Sequence, residues 1–200
     1  MTAHRTRLAA LLADIRACRH CAALLAHPPR PVLRASPTSR LCIVGQAPGT
    51  KVHATGIPFN DASGVRLREW LGLTPEIFYD ETRVAIVPMG FCFPGQDSRG
   101  ADLPPRPECA PLWRPRLFPE LRQIKLTVLV GFHAQRWHLG GDAASTLTET
   151  VRNWRRYLPR YIPVPHPSWR NTGWLKKNPW FAAELLPELK IMVRAALADP

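Results

Sequence analysis

Four short β-branched apolar runs recur along the chain with helical stretches between them, and this alternation restricts the possible architecture more than any other feature. The runs are 40–44 (RLCIV), 83–87 (RVAIV), 125–130 (KLTVLV) and 160–164 (RYIPV), each entered through a basic residue and left through turn-forming ones. Strands apolar at nearly every position suit a parallel sheet covered on both faces. Helical spacing connects Leu8, Leu11, Leu12 and Ile15, then Leu67, Trp70 and Leu71, and continues through 147–154 and 181–197. The expectation is an α/β fold, a three-layer α/β/α sandwich around a four-stranded parallel sheet. Seven Trp and 46% hydrophobic residues can fill one core, so 1–200 reads as a single domain. The Pro-rich stretches 28–37 and 104–119 read as ordered connections. In such a sheet ligands bind beyond the carboxyl ends of the strands. That rule selects GQAPG (45–49), PMGFCFPG (88–95), GFHAQ (131–135) and PHPSWRN (165–171) as converging segments.

A formal charge of +12 points to a polyanionic partner, nucleic acid first, because Lys and Arg that neutralise phosphates release counterions. The other reading is an Arg-rich composition with no partner at all. No stretch reaches the roughly 18 uncharged apolar residues of a membrane span, and the N-terminus lacks the apolar block of a signal peptide. The chain is therefore expected to be soluble and cytoplasmic, with no membrane partner. In a reducing compartment its five cysteines read as metal, redox or core residues, not as a disulfide framework.

The loop GQAPGTKVHATGIPFNDASG, 45–64, leaves the first strand with four glycines, two prolines, one aromatic and one carboxylate. It lacks the GxGxxG and GK[ST] spacings, so dinucleotide and P-loop readings are weak. His166 lies between Pro165 and Pro167, which limit where its imidazole can point; alone it could equally be a structural residue at a strand end. Taken together, GQAPG, Phe59 thirteen residues after Gln46, Asp61, and HPSWRN resemble the uracil-DNA glycosylase superfamily, with GQAPG as motif A and HPSWRN as motif B. The likeness is greatest to its iron–sulfur branches, whose motif A reads GEAPG or GLAPA. The resemblance implies hydrolysis of the bond between deoxyribose and uracil after the base is extruded from the stack. It places Phe59 against the flipped base, with Gln46 and Ala47 beside it. It also makes His166 a donor toward uracil O2.

A carboxylate is needed to offset the cationic sugar and orient water. Ala47 stands where the best-studied branch keeps an aspartate, so Asp61 is the candidate. The same residue could instead cap a helix over 62–71. The asparagine that reads the uracil edge in the GEAPG branch is replaced here by Pro88, which leaves the backbone of Met89 and Gly90 for that task.

Cys18 and Cys21, two residues between them, and Cys92 and Cys109, seventeen positions apart, resemble the ligand pattern of a 4Fe-4S cluster in those branches. Zinc on the same sulfurs or free thiols are the alternatives. Cys42, inside a strand, reads as core. After motif B, WRNTGWLKKNPW mixes basic and aromatic residues and suits a loop that grips phosphates and wedges into the duplex. Ser168, Arg170, Asn171, Lys176 and Lys177 are its candidate DNA contacts, while Trp180 reads as core. Nothing between Cys92 and Cys109 resembles the KRRIH stretch of the cross-linking branch. The expected protein is a monomeric, monofunctional glycosylase whose substrate is uracil-containing DNA and whose product is abasic-site DNA. A glycosylase for hypoxanthine, xanthine or other deaminated bases and a non-catalytic DNA binder remain the rivals.

Overall fold

The computed structural model describes residues 2–198. Helix α1 (Thr2–Arg16) precedes strand β1 (Leu41–Val44), after which come α2 (Thr50–Thr55), α3 (Ala62–Leu71) and α4 (Pro75–Phe78). Strand β2 (Val84–Ile86) leads through a long insertion to α5 (Cys109–Leu117) and β3 (Leu126–Val130). Then follow α6 (Phe132–Leu139), α7 (Leu147–Arg152), β4 (Tyr161–Val164), α8 (Thr172–Lys177) and α9 (Leu186–Leu197). The four strands form one parallel sheet in the order β2-β1-β3-β4. The sequence-based expectation of a three-layer α/β/α sandwich is what the chain adopts.

Alternation along each strand divides the apolar side chains between two cores. Leu41, Ile43, Val84, Ile86, Val128 and Val164 face one way and pack under α3 and α9, with Trp70, Phe181 and Leu189 completing that layer. Cys42, Val44, Ala85, Val87 and Leu129 face the other way, under α1 and α5, with Leu8, Ile15 and Trp113. Period-two side-chain placement thus turns a continuously apolar strand into two half-cores.

Two expected helices are less regular than their patterns imply. The 147–154 pattern ends as α-helix at Arg152 and continues as a 3-10 turn over Trp154–Tyr157. The 181–197 pattern opens with a π-helical turn, Phe181–Leu185, before α9. Pro187, in the first turn of α9, has no N–H to give to an upstream carbonyl, which accounts for the break in the regular ladder. Because β2 and β3 leave β1 on opposite sides, the order of connections reverses at β1, and the crevice outside the strand ends there is where a ligand is accommodated.

Candidate active site

A cavity of about 280 Å³ opens at the carboxyl end of the sheet. Gln46 and Ala47 from motif A, Phe59 and Asp61 from the following loop, Pro88 after β2, and His166 after β4 line it. Ser168, Trp169 and Arg170 stand at its wall as well. Three of the four expected segments therefore converge. GFHAQ does not line the cavity. It acts behind it: Gly131 leaves room for His166, whose Cβ would lie 3.5 Å from a Cβ placed there, and buried Gln135 donates to the carbonyls of Leu129 and Val164.

Phe59 is held in a left-handed backbone conformation, φ 53°, the only non-glycine among the described residues with positive φ. Its carbonyl accepts hydrogen bonds from the Tyr79 hydroxyl (3.0 Å) and Arg68 Nη1 (3.2 Å), and its ring meets Phe78 edge-on at 6.2 Å. Two glycines make room for it. A Cβ on Gly64 would fall 1.6 Å from the Phe59 carbonyl oxygen, and one on Gly45 would fall 2.9 Å from the ring tip. An aromatic in so strained a conformation persists only because its surroundings fix it, and its ring is thereby set in place at the cavity wall.

Asp61 does cap α3: its Oδ1 accepts from Gly64 N–H at 2.9 Å. It also lines the cavity, so the cap and the site use the same carboxylate, with Oδ2 left for the cavity.

His166 Nδ1 accepts from the Ser168 N–H at 3.2 Å, which makes Nε2 the protonated nitrogen of the neutral ring. Asn171 Nδ2 donates to the His166 carbonyl at 2.8 Å, and Arg66 Nη1 donates to the carbonyls of Pro167 and Ser168. Burial pushes the imidazole below its ordinary value, while Asp61 and Asp102 pull it back up. The residue is half-buried and lines the cavity. The surroundings favour a neutral donor over an imidazolium.

The insertion between β2 and α5 supplies a roof that no motif announced. Gln96 and Asp102 pair as an isolated antiparallel bridge, and Gln96 Nε2 donates to Asp102 Oδ1 at 3.0 Å. Asp97 Oδ1 accepts from the N–H groups of Arg99 and Ala101, both at 2.9 Å, and so closes the turn. Arg170 Nη2 donates to the Gly100 carbonyl and Gln46 Nε2 to that of Leu103, each at 3.2 Å, tying the roof to motifs B and A. Gln96, Gly100 and Asp102 all line the cavity. The only sequence signal for them is that the insertion follows the carboxyl end of a strand.

Met89, Gly90, Asn171, Lys176 and Lys177, expected to meet the base or the DNA, lie outside the cavity wall. Met89 and Gly90 do not line the cavity, and their N–H groups are spent on the carbonyls of Gly45 and Gln46, which extends the β1–β2 pairing. They cannot also read a base with those donors. Asn171 is committed to the His166 backbone. Lys176 and Lys177 are exposed at the end of α8 and are not part of the cavity wall. Pro88 is at the wall, and its carbonyl accepts at 2.8 Å from Arg114, a buried guanidinium whose pKa burial lowers to about 10.

Cys18, Cys21, Cys92 and Cys109 line one small cavity of about 30 Å³ between the end of α1 and the two ends of the insertion. Among the described residues no group of three or more His, Cys, Asp or Glu is drawn together as a site for a metal ion. Burial pushes Cys92 up to about 11 and Cys109 up to about 12, and Cys109 Sγ accepts from Phe91 N–H at 3.4 Å. Cys42 is fully buried in β1, a core residue as its position implies. No helix among the described residues is long and apolar enough to cross a membrane.

A parallel α/β sheet thus brings an aromatic ring, an imidazole and carboxylates around one cavity at its carboxyl end. The chain belongs to the Uracil DNA glycosylase superfamily, whose family model matches residues 34–190. The match spans the whole sheet, both motifs and the insertion, and it makes the protein a DNA glycosylase in general terms.

Proposed function

We propose that the protein hydrolyses the N-glycosidic bond of uracil in DNA and leaves an abasic site without cutting the strand. The observation that carries this reading is that His166 and Phe59 wall one cavity with His166 Nδ1 accepting from Ser168 N–H, which leaves Nε2–H as the donor of the neutral ring. A hydrogen bond from Nε2–H to uracil O2 strengthens as the base leaves with negative charge, and a donor set in place beforehand is worth a few kcal/mol in a dry site. Phe59 stacks on the extruded ring. Trp169, 70% exposed beside Arg170, is the side chain available to fill the gap in the duplex. No lysine is among the described residues lining the cavity, which supports hydrolysis without a Schiff base.

The same reading would give Cys18, Cys21, Cys92 and Cys109, which line one cavity without being drawn together as a metal site, a 4Fe-4S cluster. Thiolates are the ligands such clusters require, and here all four share the walls of one cavity. Its part is structural: Cys92 and Cys109 bracket the roof insertion, and Cys18 and Cys21 join it to the end of α1. Protein purified without oxygen should be brown and lose its colour on Cys109→Ser, whereas colourless protein carrying stoichiometric zinc contradicts the cluster. The functional test is alkali cleavage of end-labelled duplexes after incubation with the protein. Uracil duplexes should yield alkali-labile abasic sites and remain intact without alkali. Release of hypoxanthine in preference to uracil would transfer the assignment to a broader deaminated-base glycosylase, for which Pro88 in place of a base-reading side chain is the favouring observation. Binding without release would make the chain a DNA binder only.

A further inference from the structure

The roof of the cavity carries a carboxylate that none of the sequence motifs supplies. Asp102 stands at the mouth, exposed, with Oδ1 engaged by Gln96 Nε2 at 3.0 Å. Its Oδ2 lies against motif A, 3.1 Å from where a Cβ on Gly49 would be, two residues beyond Ala47. Two residues before it, the Gly100 carbonyl accepts from Arg170. Asp61, two residues from Phe59, lines the same cavity, with one oxygen committed to the α3 cap. When a base enters the cavity and stacks on Phe59, its sugar and phosphates remain at the mouth. Arg170 lines the same cavity and is fastened to the chain two residues before Asp102, so a cation able to meet a phosphate and a carboxylate able to meet the sugar stand together there.

We propose that Asp102 is a second catalytic carboxylate of this site, stabilising the cationic sugar and taking the proton of the attacking water. The proposal rests on the glycosylase reading above. As the C1′–N bond breaks, its electron pair leaves with the base, toward the His166 donor, and C1′ becomes an oxocarbenium ion. Water adds to C1′ and gives its proton to Asp102, which passes it to solvent. The departing base is protonated from solvent, and the products are the free base and a 1′-hydroxyl abasic sugar. Both carboxylates act on the His166 charge, so both stand near the imidazole that meets the departing base. DNA closing the mouth removes water around Asp102 and strengthens its field on the sugar.

The test compares affinity for a duplex carrying a cationic pyrrolidine abasic analogue with affinity for the same duplex carrying a neutral tetrahydrofuran analogue. The preference for the cation reports carboxylate charge at the sugar whichever base the enzyme removes. Wild-type protein should prefer the cation, and Asp102→Asn should lose at least about tenfold of that preference and on the order of 100-fold in single-turnover excision, while affinity for the neutral analogue stays the same. An undiminished cation preference in Asp102→Asn overturns the proposal, as does equal loss of both affinities in Asp102→Asn and Asp102→Ala, which would make the residue a structural part of the roof. If the cation preference depends on Asp102 while wild-type protein releases no uracil, the base assignment is wrong and the carboxylate assignment stands.

Discussion

Two histidines of this chain are held neutral by different neighbours, and their consequences differ. His166 is a donor at the cavity, but His138 is an acceptor inside the protein: its Nε2 takes a hydrogen bond from Arg114 Nη2 at 2.7 Å. Burial, then the charges of Arg114 and Arg160, push His138 down to about 3. Its folded value lies below the roughly 6.5 of the unfolded chain, so on acidification the unfolded state takes up the proton first. The stabilisation is fully present above pH 6.5 and is lost as pH falls from there toward 3, at up to about 1.4 kcal/mol per pH unit. His53, His133 and His166 are shifted in the same direction and add to the slope. His138→Gln keeps an acceptor for Arg114 and removes the titration. Urea unfolding should then show a loss between pH 6.5 and 5 smaller than that of wild type by up to about 2 kcal/mol. Equal losses would mean that His138 is protonated without strain. The meeting of His166 and Phe59 at one cavity was legible from the two motifs, because both motifs leave the carboxyl ends of strands of one sheet. Asp102 was not, because its place depends on how a loop without periodic pattern folds back over the sheet.

At the scale of elements, strand positions were legible within a residue or so, since a buried parallel strand leaves an apolar run whatever its neighbours are. The helix over 62–71 was legible from Asp61 and the apolar spacing that follows it. What the sequence did not show is that α3 and α4 together hold Phe59 in a conformation an aromatic residue seldom takes. Arg68 from α3 and Tyr79 at the end of α4 both donate to its carbonyl, and Gly64 leaves the space that carbonyl occupies. Tyr79→Phe removes one of these donors without changing volume. It should cost about 1 kcal/mol of stability and, on the proposed function, weaken binding of uracil-containing DNA more than binding of undamaged DNA, since there only a flipped base would meet Phe59. Gly64→Ala places a methyl into backbone and should cost about 1–3 kcal/mol and most of the excision rate. If Tyr79→Phe left the preference for damaged DNA unchanged, the left-handed turn would be held by Gly64 and Arg68 without help from α4.

Over the whole molecule, the charge of +12 is not spent in one way. Arg114 is buried against the carbonyls of Val87 and Pro88, Arg66 braces the motif B backbone, Arg68 braces Phe59, and Arg30 donates to the carbonyls of His53 and Ala54. Part of the basic excess is therefore architecture, which the net charge alone could not reveal. Lys176 and Lys177 differ: they are exposed, they close α8, and α8 begins where the cavity-lining turn Trp169–Asn171 ends. On the proposed function a duplex lies against this turn, and Lys176 and Lys177 follow its last residue by five and six positions. Each lysine that neutralises a phosphate contributes about 0.9 to the slope of log affinity against log salt on duplex DNA. Lys176→Ala with Lys177→Ala should therefore lower that slope by up to about 1.8 and weaken binding to damaged and undamaged duplexes alike, with the single-turnover rate at saturation preserved. Arg170 provides the contrast within the same segment, because its guanidinium also fastens the roof through Gly100. Arg170→Ala should lower the slope by about one contact and also slow excision at saturation. An unchanged slope in the double lysine variant would assign α8 to a solvated face and leave phosphate contact to Arg170 and the motif B turn.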